Sequence, residues 1–117
     1  MELRELPALS HFQNDNVWSA SVGRLKYWMT PHVKRDELGE PLLEGSTLDV
    51  EVWQGPWAKE FSTIEAVETF PLTPEGLEQV LPWLREWLYK IESRRVMTFE
   101  EELSLRKEPK KEEEKDA

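Results

Sequence analysis

The longest regular pattern in the chain lies between Thr73 and Arg95, in TPEGLEQVLPWLREWLYKIESRR. Leu77, Val80, Leu81, Leu84, Leu88 and Ile91 recur there at steps of three and four, which places them on one stripe of a helix. Thr73 suits the N-cap, and Pro74 then falls at the first helical position, where its missing N–H costs nothing. Glu75 and Glu78 come early and Lys90, Arg94 and Arg95 late, an order that complements the helix dipole by ~0.3–1 kcal/mol per charge. Pro82 interrupts the hydrogen-bond ladder at a cost of roughly 3 kcal/mol. The stripe keeps its phase across it, so the pattern predicts one kinked helix rather than two.

Upstream the period changes to two. Trp18, Ala20 and Val22 alternate on even positions; after Gly23 the apolar set moves to Leu25, Tyr27 and Met29. A phase switch at one glycine predicts a bulged strand rather than a hairpin, ended or placed at an edge by Pro31. Lys34 to Ser46 reads as a connection punctuated by Gly39, Pro41 and Gly45. Thr47 to Trp53 reads as a half-buried strand, with Leu48, Val50 and Val52 alternating with Asp49 and Glu51. Gln54-Gly55-Pro56 turns the chain. Glu60 to Phe70 follows as a strand with Ile64, Ala66 and Phe70 inward, although Glu68 breaks that alternation. Thr98 and Glu101 have capping-box spacing, which predicts a short helix with Phe99 and Leu103 as an i,i+4 pair. Residues 1–16 form a lead-in in which Leu3, Leu6, Leu9 and Phe12 make at most a helical turn or an edge segment.

Strands first and helices last predict an α+β fold. The expected architecture is an antiparallel sheet of about four strands, with a long kinked C-terminal helix packed on one face and a short helix after it. Residues 1–105 form a single domain in this reading, and 106–117 a disordered charged tail.

Composition narrows the function classes. The chain has 117 residues, 38% hydrophobic, with six Trp and four Phe and no Cys, which excludes disulfides and thiolate metal sites. No apolar run has the length of a membrane span, and MELRELPALSHF lacks a signal-peptide core, so a cytoplasmic protein is expected. Net charge is −9. The tail is neutral, with five bases (Arg106, Lys107, Lys110, Lys111, Lys115) against five acids (Glu108, Glu112, Glu113, Glu114, Asp116), so the excess sits in residues 1–105. Asp36–Glu68 carries nine acids and a single base, Lys59, whereas Val17–Arg35 carries four bases and no acid. Such a body repels nucleic-acid phosphate. The opposite signs predict cross-strand pairing of Arg24 and Lys26 with Asp49, Glu51, Glu65 or Glu68, at roughly 0.2–1 kcal/mol per pair.

Catalytic spacing is sparse. His11 and His32 form no i,i+3 or i,i+4 pair, and no HExxH, CxxC, P-loop, GxGxxG, GxSxG or calcium-loop pattern occurs. His32 with Asp36 and Glu37 is a weak general-base arrangement, against the simpler reading of a solvated charged loop. Asp36, Glu37, Glu40 and Glu44 are carboxylate-rich, but their spacing does not fit a calcium loop. No metal and no cofactor are expected.

The aromatic residues carry more. Trp53 and Trp57 flank a tight turn, and Trp83 and Trp87 share a helix face. Each pair is either core or a docking anchor, since Trp is favoured at binding hot spots. The expectation is a non-enzymatic protein-interaction module, accessory or inhibitor-like, meeting a basic partner protein through Trp53, Gln54, Trp57, Trp83 and Trp87. The alternative is a small apolar-ligand site between sheet and helix, lined by Trp18, Tyr27, Trp28 and Phe70. Homodimerisation through a strand edge or the Trp83–Trp87 face stays open.

Overall fold

A computed structural model describes residues 6–106. The elements are α1 (Leu9–Gln13), β1 (Trp18–Val22), β2 (Leu25–Arg35), β3 (Pro41–Gln54), β4 (Ala66–Pro71), α2 (Pro74–Glu92) and α3 (Phe99–Leu105). The four strands form one antiparallel meander in the order β1-β2-β3-β4, and the fold class is α+β as the alternation predicts.

Alternation then sorts every strand residue to a face. The register Ala20↔Tyr27↔Val52↔Ala66 and Met29↔Val50 puts the apolar set of all four strands on one side. There α2 lays down Val80, Leu84, Leu88 and Ile91, and α1 adds Phe12. Leu25, Tyr27, Met29, Leu48, Val50 and Val52 are fully or almost fully buried beneath them. Each such side chain contributes ~1.5–3 kcal/mol of transfer free energy. The Thr73 hydroxyl accepts the Gly76 N–H at 2.9 Å, so the expected N-cap forms. α2 runs unbroken through Pro82, whose ring is exposed. The carbonyl that Pro82 leaves unpaired one turn earlier can therefore bond water.

Several details depart from the sequence reading. The phase switch at Gly23 is a hairpin, with Val22 paired to Leu25 and Gly23 left-handed at φ 57°. A two-residue loop with only its first position left-handed needs one glycine, and Gly23 supplies it; the end of α2 then braces the turn. The Arg24 N–H donates to the Glu92 carboxylate at 2.8 Å, and its guanidinium donates to the carbonyls of Glu92 and Arg94 at 3.0 and 3.2 Å. The C-terminal end of α2 thus clamps the hairpin.

Pro31 does not end its strand, because β2 continues to Arg35. The Gly55 N–H bonds to the Arg24 carbonyl, which directs even-numbered positions of β2 toward β3 and odd ones away. Pro31 therefore faces the β1 side, where pairing has already stopped at Met29, and no ladder bond is lost.

The stretch Lys34–Ser46 is mostly strand rather than connection. Only 36–40 turn, capped by the Asp36 carboxylate on the N–H groups of Leu38 and Glu40, both at 2.9 Å. A bulge opposite His32–Lys34 is pinned by the buried Ser46 hydroxyl, which accepts the Lys34 N–H at 2.8 Å. β4 is correspondingly shorter than expected, since Lys59–Phe61 form a single 3₁₀ turn and pairing begins near Glu65.

The basic and acidic strands do lie side by side, but not with the expected partners. Lys26 faces Trp53, and Arg24 joins Glu92. Glu51 is taken by Lys59 at 2.6 Å, Asp49 by His32 at 2.9 Å and Glu65 by Arg94 at 2.7 Å. The expectation of a disordered tail concerns, apart from Arg106, residues 107–117, which lie outside the described ones, as does Leu3. No helix among the described residues is long and apolar enough to cross a membrane.

Candidate functional site

Val52 and Trp53 are neighbours on β3, so they point to opposite faces of the sheet. Val52 enters the core. Trp53 faces away from α2 and is nonetheless only 4% exposed. The chain after β3 explains this by folding back over it. The Trp53 indole N–H donates to the Trp57 carbonyl at 2.9 Å, and the Ser62 hydroxyl donates to the carbonyls of Trp57 and Ala58 at 3.2 and 2.9 Å. Lys59 closes the flap from the other side, with its ammonium on Glu51 and 5.2 Å above the Trp28 ring. The turn includes a cis Gly55–Pro56 bond.

On this flap rests the segment that follows α2. The half-buried Trp57 donates its indole N–H to the Glu102 carbonyl of α3 at 3.1 Å. The Arg106 guanidinium lies 5.5 Å from the Trp57 ring and 4.3 Å from that of Phe61. Arg94 grips Glu65 with two hydrogen bonds, at 2.7 and 2.9 Å, and a third reaches the Gln54 side-chain oxygen at 2.9 Å. Between flap and segment lies an open cleft of ≈ 300 Å³, with Pro56, Trp57, Met97 and Leu105 as its apolar lining and Gln54, Glu65 and Arg94 on its polar wall.

α3 is ordered by local chemistry. The Thr98 hydroxyl accepts the Glu101 N–H at 3.2 Å, and the Glu101 carboxylate accepts the Thr98 N–H at 2.9 Å, completing the capping box. Arg95 donates twice to the same carboxylate, at 3.1 and 2.7 Å. These bonds, the Arg95 guanidinium first among them, hold the Glu101 carboxyl down to about 2. α3 contributes no buried residue. Phe99 is 66% exposed and Leu103 44% exposed, with Val96 and Leu105 also open to solvent.

The structure thus brings Gln54 and Trp57 together at the cleft, whereas the buried Trp53 does not line it and meets Trp57 only through its indole N–H. Trp83 and Trp87 do not line this cleft. They sit half-buried on α2, 6.4 Å apart, with Trp83 edge-on to Phe70 at 5.8 Å and Lys90 above Trp87 at 4.6 Å. Trp18, Tyr27, Trp28 and Phe70 do not share a cavity between sheet and helix. Tyr27 and Phe70 are core, Trp18 is packed against it, and Trp28 points to the opposite face because it follows Tyr27 directly in β2.

His32 does not meet Asp36 or Glu37. It reaches across to Asp49, whose other oxygen accepts the Thr69 hydroxyl at 2.7 Å. The Thr69 bond, joined by His32, holds the Asp49 carboxyl below its ordinary value. Asp36 is spent on its own turn, and no group of three or more His, Cys, Asp or Glu able to hold a metal occurs among the described residues.

The participants that sequence reasoning passed over are Arg94, Met97, Glu102 and Leu105. Their one sequence signal was the Phe99–Leu103 pair, an apolar face with no apolar partner left for it in the strand pattern. No family model matches this chain, and no curated protein or solved structure resembles it to a significant degree.

Proposed function

We propose that this chain is a non-enzymatic protein-interaction module, accessory or inhibitor-like, that engages another protein through the surface built by the Trp53–Trp57 turn and residues 94–106. One observation carries the reading. Four of the ten exposed large apolar side chains among the described residues, Val96, Phe99, Leu103 and Leu105, fall within ten positions beside the cleft. Clustered exposed apolar side chains next to a rigid aromatic are what an interface core requires, whereas scattered ones need no explanation. The net charge of −9 favours a basic partner by steering encounter.

A second reading places a small apolar ligand in the cleft beside Trp57, Met97 and Leu105, since ≈ 300 Å³ is at the lower end of the range for such sites.

Affinity capture from native extract, with the wild type, Trp57→Ala and the remote control Val67→Ala as baits, tests the first reading. A partner recovered by wild type and Val67→Ala and lost with Trp57→Ala supports it. Equal recovery by all three counts against it. A low-molecular-mass species retained in native mass spectrometry and displaced by Met97→Trp supports the ligand reading instead.

A further inference from the structure

Resting on that interaction reading, we infer that α3 is the inserted element: its Phe99–Leu103 ridge seats in an apolar groove of a partner protein whose rim carries Lys or Arg on both sides.

The geometry of a seven-residue helix supplies the argument. At about 100° per residue, Phe99 and Leu103 lie about 40° apart and form one ridge. Glu100 and Glu102 each lie about 80° from the ridge centre, on opposite sides. The ridge is therefore apolar along its crest and acidic on both shoulders. Its inner side is different in kind: Glu102 offers its carbonyl to Trp57, Glu101 holds Arg95, and Leu105 reaches the cleft. A surface helix normally buries its apolar face and shows its polar one. α3 does the reverse, attached by polar contacts with its ring and its leucine toward water.

Preorganisation points the same way. An isolated helix this short is marginal in water. The capping box, the Arg95–Glu101 pair and the Trp57 hydrogen bond order it before any partner arrives. A helix already formed loses less entropy when it enters a groove, the recognition mode in which i,i+4 apolar residues act as anchors.

Charge selects among occupants. A second copy meeting this face about a two-fold axis would set Glu100 and Glu102 against the same residues of a chain whose net charge is −9. An anionic membrane surface is repelled by the same shoulders. A protein groove with a basic rim satisfies crest and shoulders together.

Photo-crosslinking in the native cells, with the full chain, tests this. p-Benzoylphenylalanine replaces Phe99 on the ridge, Gln54 at the cleft and Val67 at the remote β4 edge, one at a time. The expected result is a protein adduct from position 99 and none from 67. Its crosslinked peptide maps to an apolar groove bordered by Lys or Arg, and the adduct is lost in Glu100→Lys/Glu102→Lys. Glu100 and Glu102 stand in the first turn of α3, so amide exchange over residues 99–105 is measured alongside, and the charge reversal is read only with the helix still protected. Adducts from 54 without 99 overturn the α3 assignment and leave the interaction module standing. No adduct from either position sinks both. An adduct to lipid or to a second copy, or one indifferent to the charge reversal, overturns the basic-rimmed groove.

Discussion

Gly76 lies in the first turn of α2, where alanine ordinarily raises helix stability by roughly 0.5–1 kcal/mol. The tertiary structure reverses that sign. A Cβ on Gly76 would stand 1.8 Å from the Pro71 carbonyl oxygen and 2.8 Å from its carbon. Both are backbone atoms, so no rotamer change relieves the overlap. Real Cβ atoms essentially never come closer than 3.0 Å, so the start of α2 must retreat by at least 3.0 − 1.8 = 1.2 Å. That movement stretches the 2.9 Å cap from Thr73, at a cost of about 1 kcal/mol, and lifts the fully buried Val80 off the sheet. Overpacking of this kind costs about 1–3 kcal/mol. Set against the helix gain, Gly76→Ala is expected to destabilise the fold by about 1–3 kcal/mol, a melting-temperature drop of roughly 5–20 °C for a domain of this size. Urea denaturation followed by Trp fluorescence measures the change, with an unaltered slope confirming that stability alone has moved. A Gly76→Ala protein as stable as wild type, or more so, would show that α2 is not wedged against Pro71.

Pro82→Ala should act in the opposite direction. It restores a helix hydrogen bond at an exposed position, worth roughly 3 kcal/mol, less the ~0.4–1 kcal/mol by which proline stiffens the unfolded chain; the same urea assay should show a net gain. Thr69→Val removes the hydroxyl that does most to depress the Asp49 carboxyl, so an NMR titration should find Asp49 moved up toward its ordinary 3.8. Because the native value is the lower one, the contribution of wild-type Asp49 is fully present above that ordinary value and fades as pH falls, and Thr69→Val should shrink that acid-side loss. Glu101, held down to about 2 from 4.5, follows the same sign. The order of α3 should persist down to about pH 4.5 and be lost as pH falls toward 2, read from amide exchange over residues 99–105. Glu101→Gln should abolish that transition, and its survival would refute the role given to this carboxylate.

Local regularities were read correctly where they answer to local physics. The stripe from Leu77 to Ile91, the Thr73 cap and the Thr98–Glu101 capping box each rest on residues within a few positions of one another. The alternation in Leu48, Val50 and Val52 likewise marked a strand and its buried face. The hairpin at Gly23 was missed because a two-residue loop needs only its first residue left-handed, which one glycine supplies; the brace from Glu92, sixty-eight positions beyond Arg24, is the part no local pattern shows. The reach of β2 and β3 was hidden for a related reason. Gly39, Pro41 and Gly45 look like continuous loop punctuation, yet one serves a five-residue turn and another a bulge held by Ser46. At the candidate site, the Trp53–Trp57 turn stood out in the sequence, but its counterpart on α3 comes forty-five residues after Trp57.

The sequence by itself determined the periods, and with them which residues of each element share a face, since backbone geometry ties side-chain direction to position. It also set the charge of each stretch and the caps of both longer-range helices. Only the tertiary structure decided which faces meet. Trp53 and Trp57 have the same chemistry and sit four residues apart. One became a buried platform and the other the hinge-post of α3 because a flap folded back over β3 and the end of α2 arrived beside it. Phe99 and Leu103 were left facing water for the same reason: the sheet's apolar face was already covered by α2, and no apolar layer remained for them to join.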